Sequence, residues 1–93
     1  MKLTWLEQAE LDVRRLYQFL AKINRDAAER AVETIVEASY ELADHPEIGR
    51  VASINESYRE WPAKFGAKAY IIRYKIIDGT VIILRVWHGL EER

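Results

Sequence analysis

The sequence predicts an α+β fold in the order β-α-α-β-β-β, a helical hairpin packed on one face of a small, mostly antiparallel sheet. Three observations predict it. Apolar residues in the first half recur at steps of three and four. Those in the second half run in stretches rich in Ile, Val and Tyr. Between the last two stretches stands Asp78-Gly79, a dipeptide suited to a tight type I′ hairpin turn.

Lys2 to Trp5 is a short β-prone opening. The first helix follows, with Ala9, Val13, Leu16, Leu20 and Ile23 on one face. Asn24 suits a helix end, and Asp26 suits the cap of the next helix. That helix carries Ala28, Ala31, Ile35, Ala38 and Leu42 on one face and stops at His45-Pro46, since proline disfavours helix at the residue before it. Two helices separated by about two residues fold back as a hairpin. Glu47 to Asn55 is expected to be a loop, Ser57 to Trp61 a strand ended by Pro62, and Lys64 to Lys68 a connector. Strands are expected at Tyr70–Ile77 and Thr80–His88.

A two-residue turn makes paired positions in this last hairpin sum to 157. Tyr70, Ile72, Tyr74 and Ile76 then share a face with Val81, Ile83, Arg85 and Trp87, and Ile71, Arg73, Lys75 and Ile77 share the other with Thr80, Ile82, Leu84, Val86 and His88. A bulge would invert part of this assignment. Both faces are largely apolar, and one helical hairpin covers only one of them. The face with Arg73, Lys75 and His88, which holds more charge, is expected to be the uncovered one and to meet a partner.

Ninety-three residues fit one small domain, 1–93. A hydrophobic content of 49% speaks against disorder. The absence of cysteine removes disulfides, thiolate nucleophiles and Cys-based zinc sites, and fits a reducing, cytoplasmic setting. No apolar signal core or membrane-length run is present. Net charge is −1, but it is uneven: the stretch from Arg50 to Arg85 holds seven bases and three acids. That balance makes a poor general polyanion binder with one basic region.

Several segments stand together in order: Leu3-Thr4-Trp5, Ala9-Glu10-Leu11-Asp12, Ala28, Leu42-Ala43-Asp44-His45-Pro46 with Gly49-Arg50, Tyr58-Arg59-Glu60 before Pro62, Tyr70-Ile71-Ile72-Arg73-Tyr74, and the ending Ile83-Leu84-Arg85-Val86-Trp87-His88-Gly89. This ordered set resembles the ParE/RelE superfamily of type II toxin–antitoxin toxins, on the ParE side, and covers nearly the whole chain. The resemblance implies a growth-arresting toxin neutralised by a co-expressed antitoxin whose C-terminal segment wraps the helices and sheet. It implies contact with DNA only through that antitoxin, and no membrane or cofactor. ParE-like members poison DNA gyrase, whereas RelE-like members cut mRNA on the ribosome with a cluster of basic residues. A degenerate toxin that only binds antitoxin is a third possibility.

If the chain is a nuclease, the resemblance points to His88 as general acid or base, with Arg59 and Arg85 among the groups stabilising a phosphate. The plainer reading of His88 is a hydrogen-bonded side chain closing the strand. Many ribonuclease members carry an arginine three positions before the tyrosine matched by Tyr74, where this chain has Ile71. Basic residues usual after the histidine are replaced by Gly89-Leu90-Glu91-Glu92. These departures favour gyrase. Expected target contacts are Arg73, Arg85, Trp87, His88, Leu90 and Arg93; expected antitoxin contacts are Arg59, Trp61, Ile71, Arg73 and Lys75. The arginines serve equally well as surface charge. Glu29, Glu33, Glu37 and Glu41 read as a solvated helix face. Two histidines with no acidic cluster beside them make no metal site.

Overall fold

The computed structural model describes residues 1–91. Its elements are β1 (Lys2–Trp5), α1 (Glu7–Ala21), α2 (Arg25–Asp44), β2 (Arg50–Ala52), β3 (Asn55–Phe65), β4 (Lys68–Ile77) and β5 (Thr80–His88). The five strands form one sheet in the order β1-β5-β4-β3-β2, with β1 parallel to β5 and every other pairing antiparallel. Among the described residues no helix is long and apolar enough to cross a membrane.

The helical hairpin forms where the apolar spacing places it. Ala28, Ala31, Ile35, Ala38 and Leu42 of α2 are all buried. Ala31, Ile35, Ala38 and Leu42 pack, with Ala9 and Leu16 of α1, on Tyr70, Ile72, Tyr74, Val81, Ile83 and Val86. On α1 the apolar face ends sooner than its spacing implies, because Ile23 lies past the helix and is exposed. Asn24, not Asp26, caps α2: its side chain accepts the Ala27 N–H at 3.0 Å. Asp26 sits in the first turn, where the helix dipole favours an acid. The acidic row of Glu29, Glu33, Glu37 and Glu41 faces solvent.

Two segments differ from the sequence reading. Arg50–Ala52, expected in a loop, is the edge strand β2. β3 does not stop at Pro62 but runs to Phe65. β2 pairs only as far along β3 as Glu60, so Pro62 stands where the outer side of β3 has no strand neighbour. An edge position tolerates the missing N–H.

The β4–β5 hairpin carries the largest correction. Its turn is as expected, with positive φ at both Asp78 and Gly79. Pairs sum to 157 from Ile77↔Thr80 to Tyr74↔Ile83 and then shift: Arg73 faces Arg85, Ile72 faces Val86, Ile71 faces Trp87 and Tyr70 faces His88. Leu84 is the extra residue of a β-bulge, which turns everything after it onto the opposite face. Val86 therefore enters the core, and Arg85 escapes burial under the helices. His88, expected on the open face with Arg73 and Lys75, lies on the helix side, with its ring edge-on to Tyr70 at 5.7 Å. Trp87 takes the place on the open face, under the guanidinium of Arg73.

Behind α2 the chain is fastened to the core by Tyr74. Its buried hydroxyl donates to the Pro46 carbonyl at 2.7 Å and accepts the Gly49 N–H at 2.9 Å. A Cβ on Gly49 would stand 2.5 Å from that hydroxyl and 3.0 Å from the Glu60 carbonyl oxygen. Neither neighbour can give way, because one is anchored and the other is backbone. Gly49→Ala is expected to cost about 2 kcal/mol or more in urea unfolding; an unchanged midpoint would show that the loop yields.

Candidate functional site: a charged row and an apolar groove

The strand register lines up a row of charged residues across the sheet. Arg50 of β2 pairs with Glu60 of β3, Glu60 with Arg73 of β4, and Arg73 with Arg85 of β5. Arg73 donates from Nε and Nη2 to Glu60 Oε2, at 2.9 and 2.6 Å. Its guanidinium lies 4.7 Å from the Trp87 ring centre, and that of Arg85 lies 5.2 Å from it. Each cation thus has a carboxylate on one side and an aromatic face on another, which offsets the repulsion between the two arginines.

The row ends at Asp12 on α1. Arg85 donates to both carboxylate oxygens, Nε to Oδ2 at 2.8 Å and Nη2 to Oδ1 at 3.1 Å. The Val86 N–H adds a bond to Oδ2 at 2.9 Å. Asp12 is 1% exposed. Burial opposes its ionisation, but the bonds from Arg85 and Val86 and the Arg85 charge together outweigh burial and hold its pKa below the usual carboxylate value. The same hydrogen bond raises the pKa of Arg85.

Arg59 is not part of this row. It lies on the helix side of β3 and donates to the carbonyls of Gly49, at 2.7 Å, and Glu47, at 3.3 Å. His88 sits elsewhere again, beside a groove of about 830 Å³ bordered by Phe19, Ile23, Phe65, Tyr70 and Leu90. Its Nδ1 accepts the Leu90 N–H at 3.2 Å. The three candidate nuclease residues are therefore dispersed: Arg59 at the loop after α2, Arg85 against α1, His88 at the groove. Tyr74 is fully buried, and burial pushes its phenol pKa up.

The expected antitoxin set also divides. Ile71, Arg73 and Lys75 lie on the open face, while Trp61 packs against the core on the helix side with Arg59. Among the expected target contacts, Arg73 and Trp87 share the open face, but Trp87 is buried there beneath the guanidiniums of Arg73 and Arg85; Arg85 stands at the edge of that face, His88 and Leu90 border the groove, and Arg93 lies outside the described residues. Among the described residues no group of three His, Cys, Asp or Glu side chains could hold a metal ion.

Sequence reasoning missed Asp12, Glu60, Arg15 and Phe19. Asp12 had a signal: it falls three residues after Ala9 and four before Leu16, on the apolar face of α1. A carboxylate there has to meet a cation or backbone donors.

A sequence model of the family described as "ParE toxin of type II toxin-antitoxin system, parDE" matches residues 3–93. The chain belongs to this ParE toxin family. Within the wider ParE/RelE group, it is 35% identical to Toxin RelE3 of Caulobacter vibrioides over 86 residues, 92% of this chain and 91% of the relative. It is 36% identical to Toxin RelE1 of the same organism, over 92% of this chain and 90% of the relative. Its fold resembles that of a chain in the chromosomal ParDE system from P. aeruginosa, with a TM-score of 0.77, 22% identity and 95% of each chain covered. It also resembles a chain of the intact E. coli RelBE toxin–antitoxin complex, with a TM-score of 0.64, 20% identity and coverage of 99% and 98%. The ParE-family fold thus carries, in this chain, an arginine row in which Arg73 and Arg85 are held by internal carboxylates.

Asp12 makes folding depend on acidity. Because its pKa is depressed in the folded state, its stabilisation is complete above the unfolded value near pH 4 and is lost as pH falls through the lower folded value. Asp12→Asn is expected to flatten the acid limb of a stability-against-pH curve. Asp12→Ala is expected to cost about 2–3 kcal/mol at pH 7, somewhat under a fully buried pair because Arg85 can turn to water. An acid limb identical in Asp12→Asn and wild type would assign that limb to other carboxylates.

Proposed function

We propose that this type II toxin arrests growth by binding DNA gyrase in the cytoplasm, and that a co-expressed antitoxin neutralises it. The single observation that carries this reading is the dispersal of the groups a nuclease needs. Arg59 spends its guanidinium on loop carbonyls, Arg85 on Asp12 and Arg73 on Glu60. Tyr74 is buried, and Ile71 stands where a ribonuclease would place an arginine. A site that stabilises a phosphoryl transition state needs cations converging on one point with unused donors; here Arg59 lies on the helix side of the sheet, and Arg73 and Arg85, which share the other side, are each bonded to a carboxylate. The open face, with Arg73 and Lys75, with Arg85 at its edge and with Trp87 buried beneath the two guanidiniums, offers instead charged groups over an aromatic floor for a protein partner. A cognate antitoxin is supported by the neighbouring structures, a ParDE toxin–antitoxin system and a RelBE toxin–antitoxin complex.

A second reading, ribosome-dependent mRNA cleavage, draws its support from the RelE names of the curated relatives. Assays of gyrase supercoiling and of mRNA cleavage during translation, run side by side, separate the two. Supercoiling is expected to be inhibited and the mRNA to stay intact. Lys75→Glu, a half-exposed change on the open face, is expected to weaken gyrase inhibition about tenfold while altering stability by less than about 0.5 kcal/mol. Cleavage abolished by His88→Gln would establish the second reading.

A further inference from the structure

Three of the most exposed large apolar side chains lie together, at the groove rather than on the open sheet face. Phe19 is 67% exposed, Ile23 73% and Leu90 82%. With Phe65 and Tyr70 as its floor, the groove has the size and lining of a binding site rather than of scattered surface apolar residues. Its rim carries Arg15, Lys68 and His88, and among the described residues the one acid there is Glu91 of the chain's own tail.

Glu91 occupies a defined position. One carboxylate oxygen accepts from Arg15 at 2.8 Å, and the other accepts the His88 N–H at 2.8 Å. That N–H belongs to the outer edge of β5, two residues beyond the Val86 N–H that Asp12 accepts. β1 pairs with β5 only as far as Ile83, so past that point the edge is closed by two carboxylates instead of a strand. Asp12 is buried and built into a helix. Glu91 is partly exposed, three residues beyond the strand, and bonded to an arginine whose side chain is 48% exposed.

We infer that the Leu90–Glu91 tail stands in for a partner: the groove receives a segment of the antitoxin that presents large apolar side chains next to a carboxylate. That carboxylate replaces Glu91 on Arg15 and the His88 N–H, and the apolar side chains cover Phe19, Ile23 and Phe65. The assignment rests on the antitoxin reading above. It follows from the charge complementarity of the rim and from the chemistry the chain already places there. The tail competes with the partner, so removing the Glu91 charge strengthens binding, the reverse of what loss of a supporting contact does.

Titration calorimetry with the purified antitoxin encoded beside this chain tests it. Wild type is compared with Glu91→Gln, Arg15→Gln, the double variant and Phe19→Glu, each checked for folding by thermal melting. Glu91→Gln is expected to bind about two- to fivefold more tightly, the factor that corresponds to an exposed ion pair. Arg15→Gln is expected to bind about tenfold more weakly and to abolish the gain from Glu91→Gln, and Phe19→Glu to lose at least thirtyfold. Unchanged or weaker binding by Glu91→Gln overturns the competing tail. Wild-type binding indifferent to Phe19→Glu and Arg15→Gln overturns the groove but leaves the antitoxin reading standing. No binding by wild type removes both. A dimer of the free chain that Phe19→Glu dissolves, with antitoxin binding untouched, assigns the groove to a second copy and overturns the inference.

Discussion

Where β1 ends, the last strand still has its outer edge to close, and a buried carboxylate on the first helix closes the middle of it. Asp12 accepts the Val86 N–H as a neighbouring strand would, and holds Arg85 through both of its oxygens. It joins two elements that are 73 residues apart in sequence. A carboxylate in that position is costly without partners, and Arg85 and Val86 are both available only in the register the hairpin adopts.

That register depends on one extra residue. With Leu84 bulged, Val86 is fully buried, Arg85 reaches α1, Trp87 lies against Arg73 and His88 turns toward Tyr70. Without it, Arg85 and Trp87 would share a face with Tyr70 and Ile72 under the helices. The bulge thereby separates two surfaces at the end of β5: a charged, aromatic open face and an apolar groove with a cationic rim. The open face is less bare than its apolar strands imply, because Arg73 covers Trp87 and is itself held by Glu60.

A fold shared with both ParDE and RelBE chains does not choose a target; only the side chains on it can. In this chain Arg59 is turned to the helix side of the sheet, while Arg73 and Arg85 lie against Trp87 on the other side, each bonded to an internal carboxylate. The groove adds a second surface of different character.

The sequence by itself determined the helical hairpin, the Asp78-Gly79 turn, the limits of β5 and the buried face of α2, because these follow from local spacing and turn chemistry. The family was legible for the same reason, in an ordered set of short segments. The continuation of β3 through Pro62 was not legible, since it depends on which side of the strand lacks a neighbour. The candidate site was legible in its residue types but not in its grouping. Arg59, Arg73, Arg85 and His88 looked like one cluster because their strands are consecutive. Which face each occupies was decided by the Leu84 bulge and by the burial of Asp12 and Val86, and a single-residue shift in pairing exchanges the two faces of a strand without changing its composition.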